Sequence, residues 1–348
     1  MRDFDEYKVY SSNKNVYISI ILRFMKNKVS KNKVSKINQY QLAQNYVDSI
    51  AKSFVKENEE PKEIDLVFSS GGFNCPIGIG IGMYLKQIEK YKHIKVKRVS
   101  GSSIGAFLSL WYIMGDVNNN FDFLETELIN TVNHFKKNKN LNTYNSFIRK
   151  YVYNVFKSDD MTPIQKCLFI TYYDTKKYKK QIVSKYKNRE HLISCILQSG
   201  YIPYITDGNS KYKNRYIDGV SPYIFPKNKN KRETLFVNMM CRTHVFGCIS
   251  IDTKNIYKRI LVGVNDANDF FTTGNSTLCI YTKDITYQNK IERNVIEYAF
   301  FILLFIMDVA MSMHLNTQML FSESVIYNAF YDFFYNFFEG FIDGFLFT

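Results

Sequence analysis

Strand-length apolar runs alternate with helical patterns through the first part of the chain. Residues 64–68 and 94–99 have the composition of strands, and a glycine turn follows each of them. After the turns, residues 77–90 and 106–114 have the apolar spacing of helices. Strands that alternate with helices form a parallel sheet covered by helices, so the pattern predicts an α/β fold. Such sheets bind ligands at the carboxyl ends of their strands, where both glycine turns are expected.

Similar patterns predict further elements on both sides of this segment. Two more helices are expected at 38–56 and 191–197. Three more strands are expected at 167–172, 234–240 and 260–264. We therefore expect an α/β domain at 63–293, preceded by a basic and partly helical extension at 1–62.

The chain changes character after Arg293, where Lys and Arg are absent and Phe is abundant. Between residues 326 and 346, polar side chains recur every three or four positions, which is the period of an amphipathic helix. Its polar face is acidic, whereas helices at membrane surfaces normally carry Lys and Arg there. We expect 294–348 to be a helical segment that packs on the domain's own core, with a buried helix at 299–307.

Composition narrows the class of protein. Of the 348 residues, 46% are hydrophobic and 22% are charged, which is typical of a globular protein and excludes disordered or fibrous architectures. The six cysteines lack the spacing of a zinc site, and a core of this size needs no disulfides. The first ten residues are charged and polar, unlike a signal peptide, so an intracellular, cytoplasmic protein is expected.

The formal net charge of +14 suits anionic partners, which are nucleic acids or acidic lipids. No nucleic-acid-binding module is recognisable, so nucleic acid is not an expected partner. Basic stretches at 176–187 and 227–232 can draw the protein into peripheral contact with an anionic membrane. The oligomeric state is left open.

Residues Gly101-Ser-Ser-Ile-Gly105 form the pattern G-x-S-x-G, with Ser103 at its centre. Between a strand and a helix, this turn exposes a serine nucleophile above the sheet, and small flanking residues let the helix pack closely. The N–H groups at the start of the helix point to the place where an oxyanion would form. Ser103 is therefore a candidate nucleophile.

A second turn, Ser70-Gly71-Gly72-Phe73, ends the preceding strand. Adjacent glycines allow successive N–H groups to converge on one point, which makes a binding nest for a phosphate or an oxyanion. A plain tight turn would have the same composition, so the pattern alone leaves both interpretations open.

A serine nucleophile needs a base to accept its proton. Asp218, in Tyr216-Ile-Asp-Gly-Val220, is a candidate because apolar surroundings can raise the pKa of a carboxyl group enough for this role. Asp-Gly is also a common turn dipeptide. His244 offers an alternative, since Ser103, Asp218 and His244 follow the chain order of the Ser–Asp–His triad in α/β-hydrolases.

Together, these motifs resemble the patatin-like phospholipase family. Residues 68–80 are similar to its glycine-rich oxyanion loop, and the G-x-S-x-G turn, about thirty residues later, is similar to its nucleophile elbow. Ser199-Gly-Tyr-Ile-Pro203 resembles the stretch before the family's aspartate. Asp218-Gly219, followed by Pro222, resembles its D-G-[GA] motif. The four motifs occur in the family's order over about residues 64–226.

The resemblance implies a three-layer α/β sandwich with a mainly parallel central sheet and helical extensions at both ends. It implies a Ser–Asp dyad without histidine, in which Ser103 is the nucleophile and Asp218 the base. The implied oxyanion hole consists of N–H groups from Gly71, Gly72 and Phe73. The glycines that flank the catalytic motifs are Gly101, Gly105 and Gly219. The implied reaction is hydrolysis of fatty-acyl esters of phospholipids or acylglycerols through an acyl-enzyme, with no metal or cofactor.

The oxyanion loop departs from the family pattern at three positions. Asn74 and Cys75 stand where the family usually has Arg or Lys followed by Gly, and Ser70 holds the first glycine position. Loss of the cation weakens support for an oxyanion. The alternative expectation is therefore a weakly active or inactive protein that binds lipids or a partner on the same scaffold.

Overall fold

The structure is a computed structural model. It describes residues 39–54, 60–114, 121–138, 140–226, 232–248 and 256–286, with isolated positions between 290 and 302. The amphipathic helix predicted at 326–346 and the basic stretch before residue 39 lie outside the described residues. Most of the basic stretch at 227–232 lies outside them as well.

A mixed seven-stranded sheet forms the centre of the fold. Its four parallel strands are adjacent in the order β3–β2–β1–β6: β1 (Lys62–Phe68), β2 (Ile94–Ser102), β3 (Leu168–Asp174) and β6 (Glu233–Val237). Three short antiparallel strands complete it: β4 (Lys179–Val183) and β5 (Tyr216–Asp218), which pair with β3, and β7 (Cys279–Tyr281), which pairs with β6. The expected α/β fold with a mainly parallel sheet is confirmed.

Seven helices flank the sheet in the described part of the chain. They are α1 (Gln39–Ser53), α2 (Cys75–Lys90), α3 (Ile104–Met114), α4 (Phe121–Asn138), α5 (Asn142–Val155), α6 (Arg189–Ser199) and α7 (Ile256–Thr273). The main hydrophobic core lies between the sheet and these helices, while Phe225 covers Val67 and Phe236 in a smaller cluster. None of the described helices combines the length and apolar character needed to cross a bilayer.

Residues 260–264, expected as a strand, lie inside helix α7, so that prediction is wrong. The buried side of the helix has three- or four-residue spacing: Ile256, Ile260, Val264 and Ala267. Gly263 allows α7 to approach α2 closely, because a Cβ atom there would lie 2.0 Å from the carbonyl oxygen of Ile77. A five-residue apolar window is too short to reveal a helical period.

Two residues of the apolar run at 299–307 are described. Ala299 and Ile302 are helical, as expected, but both are exposed rather than buried. An apolar helix becomes buried only where another element packs against it, and a nine-residue run carries no information about such an element. The expected burial is therefore wrong at these two positions.

Candidate active site

Ser103 lies on a sharp turn between β2 and α3. Its φ of 56° is in the left-handed region, which a residue with a Cβ atom adopts only at an energetic cost. The start of α3 packs directly on the turn after β1, because a Cβ atom on Gly105 would lie 2.4 Å from the carbonyl oxygen of Ser69. A Cβ atom on Gly101 would lie 2.0 Å from the carbonyl oxygen of Gly105. The two glycines of the G-x-S-x-G pattern are thus required by close backbone contacts.

The pairing of β3 explains how Asp218 comes next to this turn. Residues 170–174 of β3 pair with β4, so β2 and β5 share the opposite edge of the strand. Strand β2 uses that edge up to Ser102, which is level with Thr171. Strand β5 continues along it with Asp218 opposite Tyr172. Asp218 therefore lies immediately beyond the end of β2, beside Ser103.

The carboxyl group of Asp218 is buried, with only 2% of the residue exposed. The N–H group of Val220 donates a hydrogen bond to Asp218 Oδ1 at 2.7 Å, and the side chain of Ser103 lies near enough to lower the pKa of the carboxyl group. Burial raises that pKa to about 7, although both neighbours act in the opposite direction. The structure thus brings the two predicted dyad residues together, with a carboxyl group that titrates near neutrality.

Ser199 supports the same turn, a role that sequence reasoning missed. The N–H group of Ser103 donates a 2.9 Å hydrogen bond to Ser199 Oγ, and Ser199 Oγ donates in turn to the carbonyl oxygen of Thr171 at 2.6 Å. The N–H group of Asp218 donates to the carbonyl oxygen of Tyr201. The end of α6 and the residues that follow it thus hold both predicted catalytic residues, and their resemblance to a family motif was the one available signal.

The turn at Gly71, Gly72 and Phe73 lies next to Ser103 and leads into α2. Gly72 has a φ of 48°, and a Cβ atom there would lie 2.4 Å from the carbonyl oxygen of Cys248. N–H groups at the start of a helical segment have no acceptor within that helix, so they are suited to bind an anion. The hydroxyl of Ser70 donates to the carbonyl oxygen of Val220, which ties this turn to the segment after Asp218.

A cavity of about 180 Å³ opens beside Ser103, Gly72 and Phe73. Its wall is mostly apolar and comes largely from α4, α5 and the segment after α6: Leu128, Val132, Phe135, Leu141, Tyr144, Phe147, Ile202 and Ile205. Among the described residues that line it, Arg259 alone is charged. A serine hydroxyl at the wall of an apolar cavity can meet an ester whose apolar part enters that cavity.

Arg259 is the second residue that sequence reasoning missed. Its guanidinium group donates hydrogen bonds to Asn74 Oδ1 and to the carbonyl oxygen of Gly247. Asn74 is fully buried, and its amide group donates to the carbonyl oxygens of Met239 and His244. A cation from α7 thus contacts the position at which the family usually carries one. No local signal could reveal this, because α7 was expected to contain a strand.

His244 is not brought to the predicted dyad. Within the described residues, its backbone forms hydrogen bonds with Asn74, Cys241, Gly247 and Cys248, and its side chain does not line the cavity. The neighbours that act on the Asp218 carboxyl group are the side chain of Ser103 and the N–H group of Val220 instead. This geometry favours the dyad over the Ser–Asp–His alternative. The described residues also contain no cluster of three His, Cys, Asp or Glu side chains that could hold a metal ion.

The fold and the elbow define the class of the protein: a mainly parallel α/β sheet, with a serine on a strained turn between a strand and a helix, is the architecture of α/β acyl hydrolases. The family model of patatin-like phospholipase matches residues 66–222. That part of the chain contains all four motifs and is similar to patatin-like phospholipases, a family of lipid acyl hydrolases. No curated protein sequence matches the chain significantly.

Proposed function

We propose that the protein is a serine acyl hydrolase, of phospholipase A or acylglycerol lipase type, that cleaves fatty-acyl esters of membrane lipids. The observation that carries the proposal is the contact between Ser103 and Asp218. A serine on a strained turn lies beside a buried carboxyl group whose pKa is about 7, at the wall of an apolar cavity.

In the first half of the reaction, Ser103 Oγ attacks the ester carbonyl carbon while Asp218 accepts the hydroxyl proton. The N–H groups of Gly71, Gly72 and Phe73 stabilise the negative charge that develops on the carbonyl oxygen. When the tetrahedral intermediate collapses, its bond to the alcohol oxygen breaks. Asp218 returns the proton to the departing alcohol, which leaves the acyl chain on Ser103.

In the second half, water replaces the alcohol. Asp218 accepts a proton from the water as its oxygen attacks the acyl-enzyme carbonyl. Collapse releases the fatty acid, and the proton passes from Asp218 to Ser103 Oγ. A base with a pKa near 7 suits both directions of transfer, because it gains and loses a proton at little cost near neutral pH.

Labelling with a fluorophosphonate probe, which reacts covalently with an activated serine, tests the proposal. We expect the wild-type protein to be labelled and Ser103→Ala not to be. Asp218→Asn should be labelled far more slowly, while His244→Ala should match the wild type. Turnover of a nitrophenyl ester and of a phospholipid ester should follow the same order.

Each alternative has its own outcome in this experiment. Loss of labelling and turnover in His244→Ala would establish the Ser–Asp–His triad in place of the dyad. A folded wild-type protein that binds lipid but reacts with no probe would instead be a lipid-binding protein on a hydrolase scaffold. Circular dichroism of each variant distinguishes loss of reactivity from loss of fold.

A further inference from the structure

The hairpin between β3 and β4 has a strongly basic tip. Lys176, Lys177, Tyr178 and Lys179, called the basic tip from here on, are all exposed, and Tyr178 has 82% of its surface exposed. Among the described residues, no acidic side chain forms an ion pair with these three lysines. A large aromatic ring at the end of a hairpin, with lysines on both sides, is a surface with both charge and apolar area.

The basic tip is held in place by specific contacts. Asp174 Oδ1 accepts hydrogen bonds from the N–H groups of Lys176 and Lys177, at 3.1 and 3.2 Å. The same carboxylate forms an ion pair with Arg215. Thr175 donates from both its N–H group and its hydroxyl to the carbonyl oxygen of Arg215. These bonds fix the backbone from which the lysines project.

The basic tip lies at the same end of the sheet as Ser103, the end at which β2 and β3 have their carboxyl termini. Ser102, the last residue of β2, is level with Thr171 in β3. Strand β3 continues three residues further to Asp174, and the tip follows it. At about 3.3 Å per residue, the hairpin projects roughly 10 Å or more beyond the end of β2. A flat anionic surface that contacts the tip therefore lies close to the carboxyl end of the sheet, where Ser103 is.

We propose that the basic tip binds the surface of an anionic lipid bilayer and thereby brings Ser103, at the same end of the sheet, to its substrate. Each lysine close to such a surface strengthens binding about fivefold, which is about 1 kcal/mol. Tyrosine prefers the interface between headgroups and acyl chains. Because bases of RNA also stack on aromatic rings, the choice of a bilayer rests on the apolar cavity beside Ser103. The inference rests on the proposed function only for the statement that the lipid is also the substrate.

Sedimentation of the full chain with lipid vesicles tests this proposal. Vesicles of phosphatidylcholine with phosphatidylserine are compared with vesicles of phosphatidylcholine alone. We expect the wild type to prefer the anionic vesicles and to lose that preference at high salt. The triple variant Lys176→Gln, Lys177→Gln and Lys179→Gln should bind anionic vesicles about 100-fold more weakly. Tyr178→Ser should cause a smaller loss that high salt does not remove.

A matched control lies at the opposite end of the sheet, where the parallel strands begin. Lys90, Lys92 and Lys95 are exposed around the amino end of β2. The triple variant Lys90→Gln, Lys92→Gln and Lys95→Gln removes the same charge from the whole protein. It should change vesicle binding less than about twofold, because these lysines face away from a surface that meets the basic tip. An equal loss in both triple variants would show that only net charge matters and would overturn the proposal.

Two further measurements make the result specific. A short RNA oligomer should not compete with anionic vesicles for the wild-type protein, and binding to RNA in place of vesicles would overturn the proposal.

The basic-tip triple variant should hydrolyse a soluble nitrophenyl ester at the wild-type rate. If no protein hydrolyses the ester but vesicle binding still depends on the tip, the proposed function fails and the membrane proposal stands. If the ester is hydrolysed but anionic vesicles are not bound, the reverse holds.

Discussion

The short ladder between β3 and β5 has a buried carboxyl group at each end, and the two groups behave in opposite ways. Asp174 and Asp218 are both 2% exposed. Asp174 forms a two-point ion pair with Arg215, at 2.9 and 2.7 Å, and this pair lowers its pKa to about 2. Asp218 instead accepts a hydrogen bond from the N–H group of Val220 and lies beside the hydroxyl of Ser103, and burial raises its pKa to about 7.

The comparison shows that two carboxyl groups with the same exposed fraction can differ widely in pKa, because their partners and the depth of their burial differ. The guanidinium of Arg215 makes the ionised form of Asp174 stable and leaves it no role as a base. The hydroxyl of Ser103 cannot offset the burial of Asp218, so that group exchanges protons near neutral pH. One end of the ladder is therefore built for structure, whereas the other is suited to proton transfer.

The largest expected effect separates the two ends by activity. Asp218→Asn should lower turnover of a nitrophenyl ester by about 10³- to 10⁴-fold, as expected when a catalytic carboxylate is replaced by its amide. Asp174→Asn should change turnover by less than about tenfold, because the side chain does not contact the proposed nucleophile. Steady-state kinetics on both folded variants measures this. Equal losses would remove the functional distinction between the two carboxyl groups.

The next effect is on pH dependence. Asp218 must be ionised to accept a proton, and its pKa is about 7. Below that value, kcat/KM for a soluble ester should rise about tenfold per pH unit, and above it the profile should level off. Asp174→Asn should leave the midpoint of this profile unchanged. A midpoint near 4, the ordinary range of an aspartate, would contradict the assignment of Asp218 as the base.

The same pKa shifts predict opposite effects on stability. Since burial raises the pKa of Asp218, the folded wild type loses stability as pH rises from about 4 to about 7. Asp218→Asn carries no charge, so it should be more stable than the wild type at pH 8, by up to about 4 kcal/mol in the free energy of unfolding. The difference should vanish near pH 4.

Asp174→Asn provides the opposite control for this prediction. Arg215 lowers the pKa of Asp174, so the ionised carboxylate stabilises the folded state above the ordinary pKa of an aspartate. Removal of its charge should lower stability at pH 8, and the loss should shrink as the pH falls toward 2. Urea titrations of both variants at several pH values measure the two trends. Destabilisation by both substitutions at pH 8 would refute the contrast.

A residue of this site could be predicted from the sequence where a short motif around it indicates its role, but not where its role depends on the arrangement of distant segments. The turns at Gly72 and Ser103 have short patterns, and parallel strands place them together, so both were found from the sequence. The contact between Ser103 and Asp218 was available only through the family resemblance. It depends on β2 and β5 sharing one edge of β3, and that is a property of the sheet topology rather than of any segment.

The contacts of Ser199 and Arg259 show the same limit. Ser199 is one serine among many until the fold places its hydroxyl between Ser103 and Thr171. Arg259 reaches Asn74 because close packing of α7 on α2, through Gly263, brings it there. Sequence reasoning took the apolar face of α7 for a strand and had no reason to consider the arginine beside it.

The smallest expected effect concerns backbone strain at the catalytic end. Ser103 has a φ of 56°, so a glycine there should be more stable than an alanine, by about 1 kcal/mol in the free energy of unfolding. Comparison of Ser103→Gly with Ser103→Ala isolates this effect, because both variants lack the hydroxyl. Ser109 lies within α3, the helix that follows this turn, and provides the control: there, alanine should be more stable than glycine by about 1 kcal/mol. The same order at both positions would mean that the turn at Ser103 carries no strain, and that the two ends of the β3–β5 ladder differ in electrostatics alone.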